Sequence, residues 1–295
     1  MHIRGGFMRV AYISSCKGKV HDIRIKAIQK VLPDIKFDVY VPPKKPNVKK
    51  YDVIYYAFYG LYNKMPLLHP NMVTSVTSHK CLNNLKRTLK QLSKFNRISV
   101  NNKVLFEDFS KYMGVIYIPN GVDTDVFRPS EKIFDPDSIV FGWTGNTDRS
   151  TKNFNSIIKP LKQKFKFKTI ETKKSKKYKI NHKDMVNFYH SIDFYVVASG
   201  TEGTPNPALE AASCGVPLIT TRVGNMVDIV VNGENGFFIE SPCLSDALKT
   251  FNLVSRLSKE EYLTISDNIK DKVRNHWDWS NRAKDFGSLF GVKYE

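Results

Sequence analysis

Strand-like apolar segments alternate with helix-like segments along most of this chain. A strand is predicted at residues 8–15, and apolar residues at helical spacing follow from Ile23 to Leu32, just before Pro33. Strands that alternate with helices run parallel, because each helix returns the chain to the edge of the sheet where the strand began. Further strands are predicted at residues 37–41, 51–57, 73–76, 138–143, 165–170, 193–198 and 217–221. The alternation predicts an α/β fold built on parallel sheets.

The alternation is interrupted by a polar, proline-containing stretch at residues 127–136. A chain of 295 residues has the length of two domains of ordinary size. We therefore predict two α/β domains, at residues 1–128 and 129–276. Tandem α/β domains of this kind bind a ligand between them, at the carboxyl ends of their strands.

The charge of the chain is strongly positive, since 46 Lys and Arg against 28 Asp and Glu give +18. An excess of this size indicates a polyanionic neighbour, such as nucleic acid, an anionic membrane face or a phosphorylated substrate. Lys far outnumbers Arg, so the codon bias of an A/T-rich genome is an alternative explanation.

The four cysteines are scattered and form no CxxC pair, which favours a reducing compartment over a disulfide framework or a zinc site. No apolar run approaches 18 residues, and the start of the chain lacks the features of a signal peptide. We expect a cytoplasmic protein without a transmembrane segment. It would act free in the cytoplasm, as a peripheral protein at the inner membrane face, or in a host cytoplasm if its source is viral.

One segment carries the most specific signal: residues 202–217, EGTPNPALEAASCGVP. A predicted strand runs into a turn rich in glycine and proline, and a helix is predicted at residues 206–213. Glu202 and Glu210 flank the helix start with seven residues between them. The helix start favours an anionic or oxygen-rich ligand, and carboxylates accept hydrogen bonds from sugar hydroxyls. Simple capping of the helix is the alternative.

The run at residues 202–221 resembles the Glu-x7-Glu signature of retaining glycosyltransferases of family four, the group 1 transferases with the GT-B fold. The resemblance extends downstream to Gly224 and residues 232–238, and upstream to residues 188–194 and 119–127. It covers most of residues 115–240, and the first domain matches more loosely.

The resemblance implies two Rossmann-like domains with parallel sheets that face a central cleft. The first would lie on the acceptor side, the second would bind the nucleotide-sugar, and a C-terminal helix at about 277–295 would pack back on the first. It implies a retaining, metal-independent transfer from a nucleotide-diphosphate sugar, with a UDP-sugar favoured, and no cofactor. Glu210 would hold the ribose, and Glu202 would face the transferred sugar near the reacting carbon. The amides around Gly203, Thr204 and Asn206 would contact that sugar or the diphosphate.

Lys152 matches the diphosphate-binding lysine of the family, whereas the usual arginine six residues earlier is Asn146 here. Arg149 is the candidate replacement for that charge.

In the first domain, His79 resembles the strand-end histidine near the transferred sugar, with a purely structural histidine as the alternative. Gly18 weakly matches a glycine that faces the diphosphate.

Two Asp-x-Asp patterns, at residues 123–125 and 135–137, lie in or beside the predicted linker, and we expect no metal at either.

Basic residues cluster at 162–183 and on a helix predicted at residues 82–95, which carries Lys86, Arg87, Lys90 and Lys94. The helix suggests an acceptor associated with a polyanion: a modified DNA base, such as a hydroxymethylated one, or a lipid or glycan at an anionic membrane. The alternative function is a catalytically inactive protein that keeps this fold and binds nucleic acid.

Overall fold

The computed structural model describes residues 7–15, 20–131, 133–173 and 181–292. The chain divides into two compact units. The first unit contains Met1–Gly121 and Trp279–Glu295, and the second contains Val122–Asp278.

Each unit is built on one parallel sheet. The sheet of the first unit has the strand order β2-β1-β3-β4-β5-β6, and that of the second has the order β11-β10-β9-β7-β8. The strands are β1 Met8–Ile13, β2 Ile35–Tyr40, β3 Val53–Tyr56, β4 Met72–Val76, β5 Arg97–Val100, β6 Ile116–Tyr117, β7 Phe141–Asn146, β8 Phe167–Thr172, β9 Phe194–Val197, β10 Leu218–Thr221 and β11 Gly236–Ile239. The predicted α/β class is confirmed.

Helices connect the parallel strands in both units. They are α1 Val20–Val31, α2 Leu85–Leu92, α3 Lys103–Ser110, α4 Lys159–Lys162, α5 His182–His190, α6 Asn206–Ser213, α7 Met226–Ile229, α8 Leu244–Val254, α9 Lys259–His276 and α10 Ala283–Phe290. Within the described ranges, none of them combines the length and the apolar character that crossing a bilayer requires.

The central strands of the first sheet are covered on both faces, so β3 and β4 are buried along their whole length. Two of their polar side chains bond to each other and to a third on β5. The Tyr55 hydroxyl lies 2.8 Å from Oγ of Ser75, which lies 2.7 Å from Oγ of Ser99 on β5. This chain of hydroxyls satisfies polar atoms that would otherwise be costly to bury.

The C-terminal helix α10 packs in the first unit, although the whole second unit separates it in sequence from the strands of that sheet. The side chain of Arg97 on β5 donates a hydrogen bond from Nε to the carbonyl of Leu289 at 2.6 Å. Phe290 is buried and meets the rings of Tyr55 and Phe37 edge-on, with centroid distances of 5.5 and 5.6 Å. The helix therefore completes the core of this unit.

The segment expected to link the two domains packs within the second unit. Phe127 is buried against Tyr189, with ring centroids 6.0 Å apart, and Phe134 stacks on Tyr262 of α9 at 3.8 Å. The chain passes from the first unit to the second between Gly121 and Val122, and returns between Asp278 and Trp279.

The predicted helix at residues 82–95 is wrong in its bounds. A 3₁₀ helix occupies His79–Asn84, and the α-helix α2 spans only Leu85–Leu92. Asn84 starts the α-helix, because its side-chain oxygen accepts a hydrogen bond from the N–H of Arg87 at 3.1 Å. Asparagine in this position satisfies an N–H that the first turn leaves without a helical partner.

Truncation of Phe290 tests whether α10 is part of the first unit's core. We expect Phe290→Ala to lower the free energy of unfolding by about 3–5 kcal/mol, because it leaves a cavity between α10 and the sheet. Leu68→Ala is the control, since Leu68 is an apolar residue of the same unit that is 85% exposed. It should change the free energy by less than about 0.5 kcal/mol. Equal values from urea titration of the two variants would contradict the packing.

Candidate functional site

The candidate site is built on the loop between β9 and α6 in the second unit. β9 ends at Val197, and α6 spans Asn206–Ser213, which confirms the helix predicted there. Pro205 occupies the cap position and Pro207 the first turn, where a missing N–H costs no helical hydrogen bond. The sequence thus directs the chain from a buried strand, through residues 198–205, into the helix that carries Glu210.

Lys152 and Glu202 meet at the edge of this loop. Their Nζ and Oε1 atoms lie 2.5 Å apart, and Oγ of Ser199 donates a hydrogen bond to the same carboxylate oxygen at 2.8 Å. The side chains are 19% and 15% exposed, so the ion pair is largely shielded from water. Lys152 follows β7 and Glu202 follows β9, and these strands are neighbours in the sheet. The fold therefore brings together a cation and a carboxylate that are distant in sequence.

Backbone contacts hold the loops of Lys152 and Glu202 together. The N–H of Gly200 donates to the carbonyl of Thr151 at 2.9 Å, and Nδ2 of Asn153 donates to the carbonyl of Ala198 at 2.9 Å. Asn153 has a φ of 51°, in the left-handed region that asparagine tolerates better than most residues. These bonds fix the spacing of the ion pair.

Glu210 lies on α6 and receives a hydrogen bond at 2.7 Å from the hydroxyl of Tyr189, a fully buried residue of α5. Desolvation raises the pKa of Glu210 to about 7, and the hydrogen bond from Tyr189 opposes that rise. Glu210 thus changes its charge near neutral pH. Sequence reasoning missed Tyr189, although it lies within residues 188–194 that carry the resemblance.

The three residues predicted to offer amide groups lie in the same loop and helix start. The carbonyl of Gly203 accepts a hydrogen bond from the N–H of Asn225 at 3.2 Å. The carbonyl of Thr204 accepts one from the N–H of Asn206 at 3.0 Å. The amide of Asn206 is therefore engaged within its own turn. All three residues are half-buried.

Asn146, at the end of β7, stabilises a turn and does not supply the positive charge of the arginine expected at this position. Its Oδ1 accepts the N–H of Asp148 at 2.8 Å, and its carbonyl accepts the N–H of Arg149 at 3.2 Å. Arg149 is exposed, and its carbonyl accepts the N–H of Lys152 at 3.0 Å. Arg149 therefore lies in the loop that carries Lys152, and its role as the substitute for the expected arginine stays a prediction.

The two candidates from the first unit have different outcomes. His79 opens the 3₁₀ helix that follows β4, is half-buried, and has its Nε2 atom shielded from solvent. It therefore occupies the strand end expected from the sequence. Gly18 lies outside the described residues, as do Lys174, Lys176 and Lys177 of the second basic cluster.

Asn225 is a further polar residue beside this loop that the sequence did not single out. It is fully buried, and neither Oδ1 nor Nδ2 has a hydrogen-bond partner in the part of the chain that the structure describes. Its neighbour Gly224 has a φ of 53°, and a Cβ there would come within 2.2 Å of the carbonyl oxygen of Gly203. The close approach of these two turns requires glycine at position 224.

The Asp-x-Asp carboxylates cap local turns. Oδ1 of Asp123 accepts the N–H groups of Asp125 and Val126, and Oδ1 of Asp135 accepts that of Asp137. Across the described ranges, no three His, Cys, Asp or Glu side chains come together as they would around a metal ion.

Residues 159–271, which include Glu202 and Glu210, match the family model described as "Glycosyl transferases group 1". A glycosyltransferase of capsular polysaccharide biosynthesis, CapM of Staphylococcus aureus, is 35% identical over 94 residues, which are 31% of this chain and 24% of that protein. The UDP-Gal:alpha-D-GlcNAc-diphosphoundecaprenol alpha-1,3-galactosyltransferase of Escherichia coli is 31% identical over 108 residues, 36% and 27% of the two chains. The chain spans about a quarter of the length of these curated relatives.

Two solved structures resemble nearly the whole chain. The sucrose-phosphate synthase of Thermosynechococcus elongatus superposes with a TM-score of 0.73 at 13% identity, over 96% of this chain and 98% of that one. HepE of Anabaena, in complex with UDP and glucose, superposes with a TM-score of 0.72 at 14% identity, over 97% and 100%. The fold is GT-B, and the resemblance to the group 1 glycosyltransferases is confirmed.

Substitution of Gly224 tests the close approach of the two turns. Gly224→Ala and Gly233→Ala both place a side chain at a positive φ, but the Cβ at position 233 meets nothing within 4 Å. We expect Gly233→Ala to lower the free energy of unfolding by about 1–2 kcal/mol. Gly224→Ala should cost about 1–3 kcal/mol more, because its Cβ displaces the backbone that carries Glu202. Equal losses in urea titration would show that the contact is unimportant.

Proposed function

We propose that this chain, whose residues 159–271 belong to the glycosyl transferases group 1, transfers a sugar from a nucleotide-diphosphate sugar to an acceptor hydroxyl. The observation that carries this proposal is the contact between Lys152 and Glu202 at the carboxyl ends of two adjacent strands. In open parallel sheets this edge is where nucleotide ligands bind.

Lys152 and Glu202 suit the two sides of the glycosidic bond that breaks. Lys152 suits the diphosphate side, and Glu202 suits the sugar side. Negative charge builds on the diphosphate as the glycosidic bond breaks, and a lysine ammonium stabilises that charge. The carboxylate of Glu202 accepts hydrogen bonds from sugar hydroxyls close to the reacting carbon. In the proposed complex, the ammonium of Lys152 turns from Glu202 to the diphosphate.

Glu210 holds the ribose of the donor in this proposal. A carboxylate on the first turns of a helix, oriented by Tyr189, accepts hydrogen bonds from two vicinal hydroxyls. A UDP-sugar is the favoured donor. That choice is supported by the structures of HepE, which hold UDP with glucose or UDP-glucose, and by the name of the E. coli relative, a UDP-Gal transferase.

We propose retention of the anomeric configuration by front-face substitution. The bond from the sugar carbon to the diphosphate oxygen breaks while the acceptor hydroxyl attacks that carbon from the same side, and the hydroxyl proton passes to the departing diphosphate oxygen. Glu202 positions the sugar. A role for His79 in holding a sugar hydroxyl is proposed from the resemblance alone. The charge on the leaving diphosphate is met by Lys152, with Arg149 as the candidate second cation. We propose that the reaction needs no metal ion, and the use of Asp123 and Asp135 as turn caps supports this.

The proposed acceptor is associated with a polyanion, either a modified DNA base or a lipid-linked or membrane-linked glycan. The exposed basic side chains of Lys86, Arg87, Lys90 and Lys94, on and just after α2, support this assignment. The E. coli relative is named for an acceptor that carries a diphosphate and a polyprenol.

Removal of either member of the ion pair tests the catalytic assignment. We expect Glu202→Gln and Lys152→Ala each to reduce sugar transfer and donor hydrolysis by about 100-fold or more. Lys162→Ala is the matched control, because Lys162 forms a comparable pair with Glu171 at 2.7 Å on β8 in the same unit. The control should retain full activity. Survival of both reactions in Glu202→Gln would show that the role assigned to this carboxylate is wrong.

The raised pKa of Glu210 makes donor binding depend on pH. Below about 7 the carboxyl is protonated, and above it the carboxylate is free to accept two ribose hydrogen bonds. Between about pH 6 and about pH 8, the Kd for UDP should fall in the native protein. We expect that fall to exceed the one in Glu210→Gln by about 3- to 10-fold. The terminal phosphate of UDP titrates equally with both proteins, so the difference isolates Glu210. Identical pH dependences in calorimetry would contradict the assignment.

A screen with UDP and GDP separates this enzyme from an inactive nucleic-acid-binding protein. Binding of a nucleoside diphosphate together with donor hydrolysis supports the transferase. Tight, salt-sensitive binding of DNA without any nucleotide binding would overturn it.

A further inference from the structure

Asn225 carries a buried amide that the hydrogen bonds of the second unit leave unused. The residue is fully buried, and neither Oδ1 nor Nδ2 has a hydrogen-bond partner among the described residues. A buried polar group without a partner destabilises a fold, and native proteins satisfy about 90% or more of such groups. An unpaired amide beside the candidate site therefore indicates a group that binds there.

Other asparagines of this unit are fully used by the fold. Asn235 is also buried, and its Oδ1 accepts the N–H of Val231 at 2.7 Å while its Nδ2 donates to the carbonyl of Ile229 at 3.1 Å. Asn181 caps α5 by accepting a backbone N–H at 2.8 Å. Asn225 directly precedes α7, yet its side chain makes no capping bond. Its amide has neither of these structural uses.

Asn225 lies against the loop that carries Glu202. Its N–H donates to the carbonyl of Gly203 at 3.2 Å, which is the upper end of the usual range for this bond. The preceding Gly224 packs so closely that a Cβ there would lie 3.1 Å from the carbonyl oxygen of Glu202. Asn225 is therefore a direct neighbour of the residues that face the sugar in the proposed donor complex.

The amide of Asn225 is chemically suited to an O–H group. Its Nδ2 donates hydrogen bonds and its Oδ1 accepts them, and an O–H group likewise both donates and accepts. An anion such as a phosphate would use Nδ2 alone and leave Oδ1 unpaired. Sugars and water both supply O–H groups.

We propose that the amide of Asn225 binds a hydroxyl of the transferred sugar when the donor is bound. This inference rests on the proposed glycosyl transfer and adds to it a residue that selects the sugar. In the donor complex Lys152 turns from Glu202 to the diphosphate, the loop adjusts at Gly203, and the amide reaches the sugar. A site that hydrogen-bonds a substrate hydroxyl discriminates against ligands without it, because its buried polar groups then stay unpaired.

The experiment compares Asn225→Ala with Asn235→Ala, since both variants remove a buried amide from the same unit. Calorimetry measures the Kd of each protein for UDP, UDP-glucose and UDP-galactose. We expect Asn225→Ala to bind UDP within about twofold of the native protein and to lose about 3- to 10-fold of affinity for at least one UDP-sugar. Asn235→Ala should show no such selective loss.

Thermal unfolding of the free proteins identifies the O–H group that the amide holds before the donor binds. Asn235→Ala leaves the N–H of Val231 and the carbonyl of Ile229 without their partner, so its Tm should fall by about 2–10 °C. Asn225→Ala removes no hydrogen bond between protein groups, so its Tm should stay within about 2 °C of the native value. An equal fall in both variants, with the selective loss of sugar affinity retained, would indicate an ordered water that the sugar hydroxyl replaces.

Two results would overturn the inference. The first is an unchanged affinity of Asn225→Ala for both UDP-sugars, which would leave Asn225 with a structural role only. The second is an equal loss of affinity for UDP and for the UDP-sugars, which would indicate a distorted loop and not recognition of the sugar. Failure of the native protein to bind UDP would instead contradict the proposed transferase, on which this inference rests.

Discussion

The pairing of β7 with β9 determines the chemistry available at the edge of the second sheet. Adjacent parallel strands end at the same edge, so the loops that follow them lie side by side. Lys152 and Glu202 thereby meet in a largely shielded ion pair, and Ser199 supports the same carboxylate oxygen. Loss of one partner would leave the other charge poorly solvated, so each holds its partner in position for a ligand.

The rest of the site depends on how closely other turns approach this edge. Gly224 permits its turn to contact the backbone at Gly203, and Asn225 donates its N–H to the same carbonyl. Behind the loop, α5 places the hydroxyl of Tyr189 against Glu210 on α6. The two carboxylates therefore have different environments. Glu202 has a cationic partner, whereas Glu210 is desolvated and has a pKa raised to about 7.

The total charge of +18 does not by itself identify which basic residues bind a ligand. Surface pairs such as Lys111 with Asp108 and Lys249 with Asp246 contribute little to stability. Lys152 has a different environment, because it is 19% exposed and pairs with a carboxylate from a neighbouring loop. Position within the fold, and not total charge, separates Lys152 from these surface lysines.

The sequence by itself determined the class of fold and the local placement of the main candidates. Alternating patterns predicted parallel sheets, and the Gly/Pro turn before residue 206 predicted the helix that carries Glu210, because turn and helix signals act over a few residues. Contacts between distant segments were decided only by the tertiary structure: the hydrogen bond from Tyr189 to Glu210, the packing of Phe290 against Tyr55, and the approach of Asn225 to the loop after β9. The physical reason is that strand order and helix packing bring residues together across long separations in sequence, and local periodicity carries no information about which strands become neighbours.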